Sequence, residues 1–301
     1  MQPRITLHCL AHAGAGVVSY RRWPELVGPG VEVVAHPLPG RDSRRREARV
    51  TDRAGLLADL LPGLLEAARR GPYALYGHSL GALVAYTLTR ALTDAGAPAP
   101  LFLAVGACLP PHVASDLVAA ADLPEEELLP YLEQLGSVPS GRSASPGGLW
   151  RRSVLPVLRD DLRLAGSLRD AALERESGGP VRCPVLVFGG RDDPLAAPES
   201  LGHWQQWAAG PIARHTVAGD HFFAGSAELP ALVGQACREH AALEDAGAAG
   251  GAGEFGAAGE IGGARVVGGA GEIGGAGVVG GSGGGVVVGE IGAAGAVGGV
   301  R

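Results

Sequence analysis

The sequence predicts an α/β fold, a mostly parallel sheet flanked by helices with a helical insertion before its last strands. Three observations carry this. Apolar, strand-like runs alternate with segments of helical spacing through roughly the first hundred residues, and that alternation lays parallel strands beneath helices on both faces. The run Tyr73-Ala74-Leu75-Tyr76 passes through Gly77-His78-Ser79-Leu80-Gly81 directly into the small-residue helix that begins Ala82-Leu83-Val84-Ala85. Between about residues 109 and 179 the alternation stops, and no good strand interrupts a helical, loop-broken stretch.

Taken in order, Ile5 to Leu10 is the first strand and ends in Ala11-His12-Ala13-Gly14-Ala15-Gly16, a loop of small residues. A helix carrying Tyr20, Arg22 and Trp23 follows, then a second strand over Val31 to Ala35 closed by Leu38-Pro39-Gly40-Arg41. An arginine-rich loop containing Arg44, Arg45, Arg46 and Arg49 leads to a helix from Thr51 to Arg70, with leucines at 56, 57, 60, 61, 64 and 65 on one face and a kink expected at Pro62. After the Tyr73 strand and its helix, Leu101 to Val105 is a buried strand. Within the insertion, Glu125 to Leu135 is one amphipathic helix and Leu149 to Leu168 another, interrupted at Pro156. The sheet resumes at Pro184 to Phe188 and Ala213 to Val217, and a helix from Ser226 to about Leu243 closes the domain, set here at 1–245. From 246 to 301 the chain turns to Gly, Ala, Val and Glu in an approximate hexad such as Gly-Glu-Ile-Gly-Gly-Ala. Eight hexads make fewer than three coils of a β-helix, so this tail is expected to be disordered, the entropy cost of glycine outweighing its few apolar contacts.

A strand running into Gly-x-Ser-x-Gly and then a helix is a nucleophile elbow, in which a strained turn presents the serine at a helix start. Ser79 would stand exposed there, with the Leu80 amide facing any developing oxyanion. The hydroxyl needs a base and the base needs an orienting carboxylate. His221, in Gly219-Asp220-His221-Phe222-Phe223 just past the last strand, fits the base. The carboxylate is Asp193 or its neighbour Asp192, in Gly190-Arg191-Asp192-Asp193-Pro194 past the preceding strand, and the spacing favours Asp193. Ser79, Asp193 and His221 then occur in the order of the α/β-hydrolases. Gly-His-Ser-Leu also resembles the phosphopantetheine attachment site of peptidyl carrier proteins, but a carrier serine opens a helix with no strand before it and needs no downstream Asp and His.

The chain resembles the type II thioesterases that stand alone beside polyketide and nonribosomal peptide synthases, and the related medium-chain thioesterase of fatty acid synthesis. The resemblance rests on His12-Ala13-Gly14, Tyr20-Arg21-Arg22-Trp23, Pro39-Gly40-Arg41, the elbow, Leu158-Arg159-Asp160-Asp161-Leu162, Gly190 to Pro194 with Trp204, and Gly219 to Phe223, in the family's order over residues 5 to 243. It implies an α/β-hydrolase fold with a helical cap at 109–179, and hydrolysis of acyl thioesters on the phosphopantetheine arm of an acyl or peptidyl carrier protein, clearing aberrant acyl groups. Ser79, Asp193 and His221 would be catalytic, and the backbone amides of Ala13 and Leu80 would form the oxyanion hole. Ala11 and Ala15 stand where the family has Pro and a second Gly; an alanine held at positive φ costs about 1 kcal/mol, which would shift that loop or pass its turn to Gly16. A general carboxylesterase would carry the same fold and triad, and a non-catalytic binding module is the third reading.

Composition narrows the rest. The 301 residues are 46% hydrophobic and 19% charged, ordinary for a globular chain, and the net charge of −6 argues against a nucleic-acid partner. Lysine is absent and all 25 basic residues are arginine, excluding Schiff-base chemistry and a phosphate-loop lysine. Cys9, Cys108, Cys183 and Cys237 lie far apart and read as reduced packing residues, with no metal or cofactor implied. No apolar run reaches membrane-spanning length and no signal pattern opens the chain, so a cytoplasmic location away from membranes is expected.

Overall fold

The computed structural model describes residues 4–134, 148–174 and 178–250. Residues 251–301 of the tail lie outside them. Six parallel strands form one sheet in the order β2-β1-β3-β4-β5-β6: β1 Ile5–Leu10, β2 Val31–Ala35, β3 Tyr73–His78, β4 Leu103–Gly106, β5 Val185–Gly190 and β6 Ile212–Val217. The helices are α1 Trp23–Leu26, α2 Arg53–Ala68, α3 Leu80–Asp94, α4 Asp116–Ala119, α5 Glu125–Gln134, α6 Leu149–Ser153, α7 Leu155–Leu173 and α8 Glu228–Gly250.

Alternation along the strands sends successive side chains to opposite faces. Leu75, Leu103, Val105, Val185 and Val187 pack with Leu56, Leu60 and Leu64 of α2, Leu83 and Leu88 of α3, and Leu164 and Leu168 of α7. Leu7, Cys9, Ala74, Tyr76, Ala104, Leu186 and Phe188 face the other way, against Trp23 of α1 and Leu229, Val233 and Cys237 of α8. The insertion has a smaller core of its own, in which Leu128, Leu129 and Leu132 of α5 meet Leu155, Leu158 and Leu162 of α7. All four cysteines are free and buried. Among the described residues no helix is long and apolar enough to cross a membrane.

Several elements differ from expectation in extent. The segment after the first loop is a 3₁₀ turn, Val17–Tyr20, followed by the single turn of α1. Asp52 caps α2, its carboxylate accepting from the Gly55 amide at 2.8 Å, and the helix continues through Pro62. The interruption expected at Pro156 is present: α6 ends at Ser153 and α7 begins at Leu155, with Pro156 in the first turn of α7, where its missing N–H has no partner to lose. β5 extends through Gly189 and Gly190, which stay in register with Thr216 and Val217 of β6. α8 runs past the composition change at residue 246 as far as Gly250, through a segment whose alanines favour the helix.

Buried His8 and half-buried His12 and His36 are held neutral in this fold. Burial, reinforced by His36, lowers the pKa of His8 to about 3; burial lowers His36 to about 4; burial and the neighbouring His221 lower His12 to about 4. His8 Nδ1 and His36 Nε2 lie 2.9 Å apart, a distance that suits one shared proton and not two. Below about pH 6.5 the unfolded chain binds protons that the folded chain refuses. Stability is therefore full above that pH and falls toward pH 4, by about 1.4 kcal/mol per pH unit for each histidine that stays neutral. Urea unfolding should show a midpoint that drops steadily from pH 7 to pH 5; a midpoint unchanged over that range would contradict the assignment of neutral rings.

Candidate active site

Strand β3 delivers Ser79 into a turn with φ 56° and ψ −116°, a conformation rare for a residue with a side chain. The crossing of backbones explains the two flanking glycines. A Cβ on Gly77 would lie 1.9 Å from the Gly81 carbonyl oxygen, and a Cβ on Gly81 would lie 2.0 Å from that of Leu10. The turn is held by the Ser79 amide donating to Gly106 O at 2.8 Å and the Ala82 amide donating to Ser79 O at 2.9 Å. Leu80 opens α3, so its amide has no helical partner one turn back.

The loops after β5 and β6 bring the other two residues to Ser79. His221 Nε2 lies 3.1 Å from Ser79 Oγ, and its Nδ1 lies 3.0 Å from each carboxylate oxygen of Asp193. The acid that meets the histidine is Asp193, which is buried, whereas Asp192 is exposed. Asp193 Oδ1 also accepts from the amides of Leu195 at 2.8 Å and Ala196 at 3.1 Å, so its carboxylate is fixed before the imidazole arrives. An acceptor-only carboxylate requires the proton on Nδ1, leaving Nε2 to accept from the serine hydroxyl.

His78, within the elbow itself, was given no role from sequence. Its Nε2–H donates to the His221 carbonyl oxygen at 2.7 Å while the Tyr76 hydroxyl donates to its Nδ1 at 2.7 Å. Both contacts fit a neutral ring, and full burial, with His12 and His221 nearby, drives its pKa well down. The histidine loop is thereby tied to the serine strand by backbone. Trp23 Nε1 adds a second tie, donating to Ala224 O at 3.0 Å.

The first loop is pinned from the insertion. Gly14 takes the turn at φ 77°, and neither Ala15 nor Gly16 has positive φ; the strain expected at Ala15 does not arise. The Gly14 amide donates to Asp161 Oδ2 at 2.7 Å. Arg41 pairs with both oxygens of that carboxylate, Nη1 to Oδ2 at 2.7 Å and Nη2 to Oδ1, and Nη1 also donates to Ala15 O at 2.9 Å. Burial raises the Asp161 pKa, opposed by Arg41 and the Gly14 amide. Arg41 and Asp161 belong to motifs visible in the sequence, Pro-Gly-Arg and Leu-Arg-Asp-Asp-Leu, but nothing in either motif says that they pair.

These elements enclose a cavity of about 150 Å³ lined by Ala13, Ser79, Leu80 and His221 on the sheet side and by residues of α4 and α7 opposite. A hydroxyl, a base and an orienting acid aligned at its wall can carry out acyl transfer through a covalent intermediate.

The sequence matches the thioesterase domain family over residues 5–238. The chain is 31% identical to the Streptomyces griseus protein named "Probable cadicidin biosynthesis thioesterase", over 73% of this chain and 58% of that one, so the match spans little more than half of that relative's length. It is 30% identical to thioesterase PikA5 of Streptomyces venezuelae, over 73% of this chain and 75% of the relative. Among solved structures, the RedJ thioesterase from the prodiginine biosynthetic pathway of Streptomyces coelicolor superimposes with a TM-score of 0.68 at 32% identity, covering 78% of this chain and 86% of that one. With most of its length matched and its parallel sheet and strand-end site in place, the chain belongs to the thioesterase family, hydrolases of the thioester bond built on the α/β-hydrolase fold.

Proposed function

We propose that this chain is a serine thioesterase that hydrolyses acyl groups from the phosphopantetheine arm of acyl or peptidyl carrier proteins, removing aberrant acyl groups in polyketide or nonribosomal peptide synthesis. The observation that carries the reading is the alignment of Ser79, His221 and Asp193 at 3.1 and 3.0 Å on the wall of a partly open pocket. Ser79 Oγ attacks the thioester carbonyl as His221 Nε2 takes its proton. The amides of Leu80 and Ala13 receive the oxyanion, and the pantetheine sulfur leaves with the proton returned by His221. Water, activated by the same imidazole, then releases the acyl group as a carboxylic acid and restores Ser79. Asp193 keeps the proton on Nδ1 throughout. The insertion at 109–179 acts as a cap, shielding the acyl-enzyme and offering the acyl chain an apolar wall.

Intact-mass analysis of an acylated carrier protein after incubation with the enzyme tests this directly. Loss of the acyl mass with the pantetheine arm retained is expected, and it should vanish in Ser79→Ala. Asp193→Asn should lower turnover on the order of 10⁴-fold by admitting the wrong imidazole tautomer, while Asp192→Asn changes it little. Rapid cleavage of simple oxygen esters with no loss of the carrier's acyl mass would replace the reading with a carboxylesterase.

Of the arginines in the loop between β2 and α2, only two among the described residues are free to dock an acidic carrier. Arg44 is engaged by Asp59 at 2.7 Å and by Glu47, Arg49 by Asp160 at 2.6 Å, and Arg41 by Asp161. Arg45 and Arg46 are exposed and form no ion pair among the described residues. They lie between β2 and α2, on the side where β-strands of the sheet end. Exposed charges of this kind steer an acidic partner and raise its association rate. Arg45→Ala with Arg46→Ala should lower kcat/KM for an acyl carrier protein several-fold at low salt and leave a short acyl-cysteamine thioester unaffected. Equal losses on both substrates would overturn the docking role.

A further inference from the structure

The loop between β1 and the Val17–Tyr20 turn is held in shape from outside itself. Its residues are Ala11, Ala13, Gly14, Ala15 and Gly16 around His12, and the one polar side chain among them has a buried Nδ1 with no partner. Within the loop, the Ala15 amide donates to His12 O at 3.1 Å. That bond closes a turn in which Gly14, at φ 77°, takes the third of four places, where a type II turn needs a left-handed residue. A planar trans peptide points its carbonyl and its N–H in opposite directions, so holding His12 O inside the turn directs the Ala13 N–H out of it. Ala13 lines the cavity with Ser79 and Leu80, and its amide donates to no acceptor among the described residues.

Asp161 decides which turn forms. The Gly14 amide donates to its Oδ2 at 2.7 Å. Flipping the central peptide, which exchanges a type II turn for a type I, would swap that donor for the Ala13 carbonyl oxygen and set two acceptors against each other. Arg41 keeps the carboxylate in place by pairing with both its oxygens, and Arg41 Nη1 also donates to Ala15 O at 2.9 Å. At the loop's far end Asp42 Oδ2 accepts from the Val17 amide at 3.0 Å. Apolar packing does not select between the turns: a Cβ on Gly14 would meet Leu158 at 3.6 Å and Val154 at 3.8 Å, ordinary contact that fixes no peptide plane. Neither Asp161 nor Arg41 lines the cavity, so what they contribute to the chemistry passes through the loop.

We infer, building on the thioesterase reading above, that Asp161 is a positioning residue for acyl transfer, holding the turn over His12 to Ala15 in the form that aims the Ala13 amide at the oxyanion. The residue lies on α7, in the insertion, and not on the sheet. The insertion then supplies more than a cover for the acyl chain, because the second oxyanion donor is set only while α7 rests on the loop. Misplacing a group by about 1 Å costs on the order of 100-fold in rate. A buried carboxylate outside the cavity thereby governs turnover as strongly as a residue inside it.

Loss of Asp161 alone strands a buried arginine and threatens the fold, so the test removes the ion pair as a whole. Arg41→Met with Asp161→Leu replaces it by apolar side chains and leaves the Gly14 amide without an acceptor; Arg41→Met with Asp161→Asn returns a neutral acceptor. With an acyl-N-acetylcysteamine thioester, kcat per Ser79 titrated to completion by a fluorophosphonate should fall about 10- to 100-fold in the first double variant. The second should regain most of that loss. A pair of ketones locates the defect. Ser79 Oγ adds to the carbonyl carbon of an acyl trifluoromethyl ketone, its proton passing to His221, and leaves an oxyanion beside the loop, whereas the matching methyl ketone binds without adding. Inhibition by the fluorinated ketone should weaken in step with kcat while inhibition by the methyl ketone holds. Arg41→Lys, which keeps a charge beside Asp161 but not the planar fork, should shift the same ratio by a smaller factor, and it decides if neither double variant folds. Equal kcat in the two double variants, a ketone ratio unmoved in Arg41→Lys, or a loss shared by both ketones marks the pair as structural and overturns the inference, leaving the thioesterase reading intact. Wild-type enzyme that releases no acyl group in a Ser79-dependent way overturns both.

Discussion

The backbone crossing at Gly77, Gly81 and Leu10 is the constraint from which the site follows. Strand β3 can enter α3 this abruptly because the Gly81 carbonyl occupies the space where a Gly77 side chain would stand, and the Leu10 carbonyl occupies that of Gly81. Ser79 is left at φ 56°, a conformation that costs about 1 to 3 kcal/mol in general. Bonds from its amide to Gly106 and from Ala82 back to its carbonyl hold it there. Because Leu10 ends β1 and Gly106 ends β4, the two strands flanking β3 jointly fix the serine's position. The first loop starts one residue beyond Leu10, so the same contact also sets where Ala13 can lie.

Around that fixed point the loop-borne parts of the site are tethered by backbone acceptors and buried charge. His221 sits in a loop, yet its carbonyl is held by His78, a residue of the serine strand, at 2.7 Å. Any shift of the histidine loop therefore breaks a buried bond to the neighbour of Ser79. On the opposite side, Asp161 joins the insertion to two segments of the sheet domain, through the Gly14 amide and the Arg41 guanidinium. Its side chain is 1% exposed, and losing one partner of such a pair leaves an uncompensated buried charge worth several kcal/mol. The cap proposed here is thus anchored at the loop that carries Ala13, the residue assigned to the oxyanion in the proposed function.

What the sequence revealed and what it hid follow from the range of the interactions. Ser79, Asp193 and His221 each ride on a local pattern, a strand end followed by a turn residue, so their positions at one edge of a parallel sheet could be inferred without knowing any contact. Asp193 over Asp192 was legible for the same reason, since the turn spacing decides which carboxylate points back toward the sheet. The bonds that hold the site are different. His78 and His221 lie 143 residues apart, and Arg41 and Asp161 lie 120 apart; a periodic pattern records which face a residue occupies and not which residue it meets. The arginine loop shows the reverse error. Arg44 and Arg49 look like free surface charge in the linear chain, but their partners Asp59 and Asp160 arrive from α2 and α7. Pro156 was legible because a proline cannot continue a helix from the turn before it, and the chain does break between α6 and α7 just ahead of it.

Charge placement along α7 gives the chamber its polarity. Asp160 and Asp161, beside the first loop, are spent on Arg49 and Arg41, so that end of the helix presents neutralised charge to the site. Leu162 and Ala165 then carry an apolar face along the cavity, and Arg169, further along the same helix, donates to the Pro110 carbonyl. The two ion pairs at the loop end are unequal: Arg41 and Asp161 are buried, so removing either partner strands a charge away from water, whereas Arg49 and Asp160 are partly exposed and hold the helix far more weakly.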